Sequence, residues 1–265
     1  MGRSSESRIP PLDYVDGQVP VTSKLVRVLV ALSVIMAATF GTMFAMTAMA
    51  APAKADGCYT WSGRLQNGST GTAVRQLQIR IAGYPGYNSN IVIDGVFGNA
   101  TEAALRRFQS AYGLTVDGIA GQQTFNKLYD LQDNDCTPIH FTYAELNNCN
   151  STWSGGLVSA TQARTNALRL MWQLEALRHA LGDRRLVVSS GFRSLACNPD
   201  SSDGYSRHLY GAAADFTGTP TLCQIVRQAR YHGFEEILGP GYPGHSDHAH
   251  VANDPTRTWS ASQCM

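Results

Sequence analysis

The chain has 265 residues with 21 Lys+Arg against 20 Asp+Glu, and this near balance advertises no polyanion-binding surface, so nucleic acid is excluded as a first partner. Charged residues make up only 15% and hydrophobic ones 43%, which excludes a charge-solvated disordered chain and indicates folded domains with an uncharged polar surface. The length allows about two domains, each able to bury its own core.

Residues 1–27 are polar and end in Lys24 and Arg27, whereas Val28 to Ala50 carry no charge. That run is close to the ~20 residues that span a bilayer, and the small-x-small triplets Ala48-Met49-Ala50 and Ala53-Lys54-Ala55 suit signal peptidase. Residues 1–55 therefore read as a cytoplasmic flank and a signal peptide or signal anchor, with cleavage expected after Ala55. The rest of the chain is expected outside, because Lys24 and Arg27 hold the flank in the cytoplasm. Losing this segment removes Arg3, Arg8, Lys24, Arg27 and Lys54 with Glu6, Asp13 and Asp16, and turns the net charge from +1 to about −1. The six cysteines, Cys58, Cys136, Cys149, Cys197, Cys223 and Cys264, all lie beyond it with no C-x-x-C spacing. In an exported chain they read as three disulfides, for which the sequence alone permits fifteen pairings.

Residues 56–137 form a first module with an internal repeat. Asp94-Gly95-Val96-Phe97-Gly98-Asn99-Ala100-Thr101 and Asp117-Gly118-Ile119-Ala120-Gly121-Gln122-Gln123-Thr124 share D-G-x-x-G-x-x-T. Each phrase reads as a turn feeding a helix, with Ala104, Leu105 and Phe108 after the first and Phe125, Leu128 and Leu131 after the second. An earlier helix runs through Val74, Leu77, Gln78 and Ile81, which gives a bundle of about three helices with no cluster of titratable groups. These residues, together with Val74-Arg75-Gln76-Leu77-Gln78 and Arg107-Phe108-Gln109, resemble the peptidoglycan-binding domain type fused to wall hydrolases. The resemblance covers roughly residues 65 to 131 and implies a module that holds the protein on bacterial cell wall.

In residues 138–265 an amphipathic pattern runs from Ser159 to Leu181 through Ala163, Ala167, Leu170, Met171, Leu174 and Leu177, and a second helix is expected from Pro220 to His232. Strands are expected at Leu186 to Ser190, Ala212 to Thr217, Glu236 to Leu238 and His248 to Ala252. The fold class is thus α+β: a small helical bundle followed by a domain of helices and an antiparallel sheet.

The chemistry concentrates in this second module. Three of the seven histidines fall in Gly244-His245-Ser246-Asp247-His248-Ala249-His250, and a fourth in Ser206-Arg207-His208-Leu209-Tyr210-Gly211-Ala212-Ala213-Ala214-Asp215. On a strand, His248 and His250 share one face. Catalytic zinc takes three protein ligands and leaves a position for water, a number these histidines and Asp215 can supply. Strict alternation turns Asp247 away from His248 and His250, but Gly244-His245-Ser246 reads as a loop that leaves its direction open. Arg193 follows the apolar run Leu186-Val187-Val188, and its guanidinium could hold a carboxylate with a fork of two hydrogen bonds. His140, His179 and His232 show no ligand spacing and read as structural, and Asp203 and Asp254 read as loop or turn residues.

Ser206-x-His208-x-x-Gly211-x-Ala213-x-Asp215 followed by Asp247-His248-x-His250 resembles the zinc D-Ala-D-Ala carboxypeptidase family, peptidase family M15, from about Thr142 to Cys264. This family includes vancomycin-resistance dipeptidases and is remotely similar to hedgehog signalling domains. The resemblance implies His208, Asp215 and His250 as ligands of one zinc ion and Asp247 as the base for a metal-activated water; His248 and His245 are then available to bind substrate or stabilise the oxyanion, with the division between them open. It further implies Arg193 and Ser206 as substrate contacts, and disulfides Cys58 to Cys136, Cys149 to Cys197 and Cys223 to Cys264. A secreted, monomeric D,D-carboxypeptidase of peptidoglycan stem peptides is expected, touching the membrane only through an uncleaved leader. A zinc endopeptidase of the wall and a non-enzymatic wall-binding protein with a structural zinc are the alternatives.

Overall fold

A buried glutamine ties each turn of the N-terminal bundle. The computed structural model describes residues 58–265 apart from 148, 151 and 198–205, so the leader at residues 1–55 and Asp203 lie outside the described residues. Helices α1 (Thr72–Arg80), α2 (Asn99–Ala111) and α3 (Gln122–Asp130) are the three expected from the repeat. Gln78 donates to Asp94 Oδ1 at 2.9 Å and to the Val96 carbonyl at 3.1 Å, and accepts from the Gly95 N–H at 2.8 Å. Gln109 repeats the set on Asp117 (2.8 Å), Ile119 (3.1 Å) and Gly118 (2.9 Å). Gly95 and Gly118 have φ of 79° and 72°, a left-handed conformation that a side chain strains, so the Asp-Gly pair of each phrase is a geometric requirement. The conserved shape of the two phrases thus serves to satisfy buried backbone groups.

Helix α4 (Ala160–Ala180) starts at Ser159, whose side chain accepts from the Gln162 N–H, and packs against the cores of both modules. Ala163, Ala167, Leu170, Met171, Leu174 and Leu177 are buried in the core of the second module, as their spacing predicts. The opposite side of the helix is buried too: Trp172 and Ala176 join the core of the bundle. Arg80 of α1 lies 5.0 Å from the ring of Trp61 and 5.7 Å from that of Trp172, so one buried guanidinium is held between aromatic faces of the two modules. Nearby, His232 donates from Nδ1 to the Gly83 carbonyl at 2.7 Å, and Gln173 donates to the Gly233 carbonyl at 3.0 Å. The amphipathic pattern of α4 revealed one of its buried faces; the second carries Gln173 and Glu175, polar side chains that mask it in the sequence.

Five strands form one sheet in the order β1-β2-β4-β3-β5: β1 (Val187–Ser190), β2 (Ala213–Thr217), β3 (Glu236–Leu238), β4 (Ala249–Ala252) and β5 (Thr258–Ser260). The first four pair antiparallel as expected, whereas β5 adds a parallel edge on β3. Trp259 of β5 packs on the core and donates from Nε1 to the Phe234 carbonyl at 3.2 Å, an anchor that a three-residue segment does not display as a strand pattern. Helix α5 (Leu222–Ala229) is shorter than the expected span, since a capping box of Thr221 with Gln224 sets its start. Ala214, Phe216, Ile237, Ala249 and Val251 face the core with α4 and α5. Alternation therefore delivers Asp215, Glu236 and His250 to the other face. The disulfides are Cys58–Cys136, Cys149–Cys197 and Cys223–Cys264, the pairing that the family resemblance implies. Among the described residues no helix is long and apolar enough to cross a membrane.

Burial lowers the pKa of His232 to about 4 from 6.5, because the ring is sealed at the seam between the modules. The unfolded ring takes a proton below about pH 6.5 and the folded ring only near pH 4, so stability falls as pH drops through that window, by about 3 kcal/mol from this residue. Urea unfolding of the His232→Asn variant at pH 7, 5.5 and 4 should show a shallower acid loss than the parent chain; equal slopes would contradict the assignment.

Candidate metal centre

The register of the sheet builds the centre. Asp215 in β2 lies directly opposite His250 in β4, so the two side chains rise side by side from the same face. The 3-10 turn Arg207–Tyr210 brings His208 to them just before β2 begins. Gly211 closes that turn with φ 67°, and a Cβ there would lie 2.5 Å from the Ala163 carbonyl oxygen; the motif glycine lets the turn sit on α4. Donor atoms of His208, Asp215 and His250 lie within 4.8 Å of one another, and all three residues are buried.

Hydrogen bonds choose which nitrogen each ring offers. His208 Nδ1 lies 2.6 Å from the Gly191 carbonyl, which can only accept, so Nδ1 carries the proton and the Nε2 lone pair faces Asp215 Oδ2 at 3.2 Å. His250 turns the other way, with Nδ1 2.8 Å from Asp215 Oδ1 and Nε2 3.3 Å from Glu236 Oε2. Burial holds the His208 pKa below the usual histidine value. Burial also disfavours charge on His250, but hydrogen bonds to the Asp215 and Glu236 carboxylates outweigh it and raise that pKa to about 9. Burial would raise Asp215, yet hydrogen bonds from His208 and His250 hold its carboxyl far below the ordinary range. Two imidazole nitrogens and one ionised carboxylate oxygen converging in this way are a donor set that suits zinc, and their outer nitrogens are already fixed by protein partners.

The centre floors a cleft of about 400 Å³ that also presents Arg193, Ser206, His245 and His248. Arg193 pairs with no carboxylate among the described residues, and its buried Nε has no hydrogen-bond partner. Arg207 lines the same cleft but is ion-paired with Asp254 and lies 5.0 Å from the Tyr210 ring, which gives that loop aspartate a definite partner. His248 precedes β4, with Nε2 4.0 Å from Asp215 Oδ1 and Nδ1 2.8 Å from Asp247 Oδ1. The Asp247 side chain is 85% exposed, outside the strand, and bends back to His248. Its charged form is favoured first by that hydrogen bond. His245 donates from Nδ1 to the Pro243 carbonyl at 3.0 Å and lies 4.5 Å from the His248 ring, tilted by 39°; burial lowers its pKa. All eight residues singled out in the sequence lie in or beside one cleft.

Glu236, Gly191 and Tyr242 join the site without any mark in the sequence. Glu236 stands 14 residues before His250 and meets it only across the sheet, and Gly191 acts through its backbone. Tyr242 lines the cleft and meets His245 edge-on at 5.2 Å. The remaining histidines sit elsewhere: His140 lies on Glu175 at 2.9 Å, His179 on Asp183 at 2.9 Å, and His232 at the seam.

Residues 139–252 match the Peptidase M15 family, and residues 70–128 match the family described as "Putative peptidoglycan binding domain". The chain is 63% identical over 211 residues to a zinc D-Ala-D-Ala carboxypeptidase from Streptomyces albus G, which covers 79% of this chain and 83% of that protein. It is also 36% identical over 104 residues to a spore cortex-lytic enzyme from Oceanobacillus iheyensis, covering 39% of this chain and 36% of that one. A probable N-acetylmuramoyl-L-alanine amidase from Bacillus licheniformis is 41% identical over 80 residues, 29% of this chain and 22% of that one.

His250 must release its Nδ1 proton to offer that lone pair to a metal. With its pKa at about 9, zinc affinity measured against a competing chelator should rise about tenfold per pH unit from pH 6, levelling near pH 9, with about one proton released per ion from this ring. A flat profile would contradict this assignment.

Proposed function

The chain belongs to the M15 peptidase family, and from that premise we propose that it is a zinc-dependent D-alanyl-D-alanine carboxypeptidase that hydrolyses the terminal D-Ala-D-Ala bond of peptidoglycan stem peptides. One observation carries the reading: the His208, Asp215 and His250 donors share a cleft with Arg193, a guanidinium that no carboxylate among the described residues neutralises. One zinc ion per chain, when held by those three residues, supplies Lewis acidity toward the scissile carbonyl and a water whose pKa is brought toward ~7.

The protein's own groups do the rest. Arg193 receives the terminal carboxylate in a fork of two charge-assisted hydrogen bonds and so selects a peptide end over an internal bond. Ser206 contacts the same residue of the substrate. Asp247 and His248 act as one base: Asp247 holds His248 Nδ1, which leaves Nε2 toward the cleft to take the proton of the attacking water and pass it to the leaving amine. The His245 ring packs against His248 and lines the cleft beside the place where the oxyanion develops. The N-terminal bundle docks the enzyme on the wall, a role supported by its match over residues 70–128. Three disulfides support work outside the cytoplasmic membrane, with residues 1–55 serving as the export leader.

Zinc-loaded protein incubated with an acylated peptide ending in D-Ala-D-Ala should release D-alanine, and chelator should abolish the release. No D-alanine from the zinc-loaded sample would refute the proposal, and fragmentation of intact wall without free alanine would indicate an endopeptidase. Arg193→Ala should lower kcat/KM by ~10²-fold, mainly through KM, with zinc content unchanged. Asp247→Ala and His248→Ala should each lower kcat by about 10²–10⁴-fold while retaining zinc; normal turnover in both would remove the paired base from the mechanism.

A further inference from the structure

We propose that Glu236 is a positioning residue for the metal: its carboxylate accepts the Nε2–H of His250 and thereby fixes the ring with its Nδ1 lone pair toward Asp215 and His208. The inference rests on the zinc reading above and adds a fourth protein group to it.

Strand register puts Glu236 on the right face. Glu236 pairs with Ala252 and Leu238 with His250, so Glu236 and His250 are diagonal neighbours on the face that carries Asp215. The residue opposite Glu236 is alanine, completely buried, whose small side chain leaves the lane along which Glu236 reaches His250. The contact is made at 3.3 Å, with the Glu236 side chain 22% and the His250 side chain 7% exposed.

The two imidazoles are treated alike although nothing in their sequence surroundings is alike. Each outer nitrogen has one protein acceptor, the Gly191 carbonyl for His208 and the Glu236 carboxylate for His250. Without Glu236 the outer nitrogen of His250 would be buried with no acceptor, and the tautomer with Nδ1 protonated, which cannot bind a metal from that side, would become competitive. A carboxylate acceptor also strengthens the ring as a ligand, as outer partners of metal-bound histidines do.

Glu236 is set apart from its neighbour by the pleat. Glu235, next to it in sequence, points away to the bundle, where it accepts from Asn90 and lies 3.8 Å from Arg169. The adjacent glutamates therefore serve opposite sides of the sheet, and only Glu236 serves the centre.

The test uses the purified full chain, stripped of metal and titrated with zinc against a chromophoric chelator at fixed pH. Glu236→Ala should bind zinc about 10–100-fold more weakly than the parent chain. Glu236→Gln, whose Oε1 can accept the same proton, should recover most of that loss. Near-UV circular dichroism of the zinc-free variants reports whether the fold is kept. A readout independent of any substitution is the imidazole ¹⁵N spectrum of the zinc-loaded parent, in which His250 should carry its proton on Nε2. A folded Glu236→Ala variant that binds zinc within twofold of the parent, or a His250 ring protonated on Nδ1, would overturn the proposal. If the parent chain itself bound no zinc, the failure would belong to the zinc reading, not to Glu236.

Discussion

Everything in the catalytic module is arranged around one cross-strand pair, Asp215 opposite His250, buried at the middle of the sheet. A carboxylate in such a place is costly unless hydrogen bonds and opposite charge compensate it, and here imidazoles approach it from two sides. That constraint explains the small residues around the pair. Ala213 and Ala252 stand on the same face, and Gly211 lets the His208 turn settle against α4. It also explains why the apolar residues of β2, β3 and β4 fall on the opposite face, since a strand that carries a polar centre on one side must find its core on the other.

How far this could be read from the sequence depended on whether a contact is local. The helices of the bundle followed from the Asp-Gly phrases, and the main helix of the second module from one line of apolar residues. The crowding of imidazoles and a carboxylate marked a metal, but the choice of His208, Asp215 and His250 among them came from the family resemblance, and His248 falls just before the strand that its spacing suggested. Asp247 lay at a point where loop gives way to strand, so its direction had to come from the hydrogen bond to His248. Contacts created by topology left no local mark. Glu236 meets His250 on a diagonal between strands, Gly191 uses a carbonyl that every residue possesses, and β5 is anchored by the packing of a single, partly buried tryptophan. The parallel edge was therefore invisible to a search for alternating strands.

The joint between the modules has a consequence for the reaction. The bundle and the peptidase core share α4, and Arg80 sits between tryptophans from either side. Glu235, just before β3, reaches toward the bundle through Asn90, and Glu236, the first residue of β3, reaches toward His250. A bundle fused through such a seam keeps one orientation relative to the cleft, unlike one held by a flexible linker. In the proposed enzyme, docking on the wall would both raise the local concentration of stem peptides and restrict the angle at which they enter.

The central claim is that one cleft holds a metal between His208 Nε2, Asp215 and His250 Nδ1 while Arg193 waits for a carboxylate. Anomalous diffraction at the zinc edge, from crystals of the full chain grown with zinc and a D-Ala-terminated ligand, addresses both halves at once. A single zinc peak per chain bounded by those three atoms is expected, with the ligand carboxylate forked on Arg193. A zinc peak away from Asp215, or a ligand carboxylate that does not touch Arg193, would contradict it.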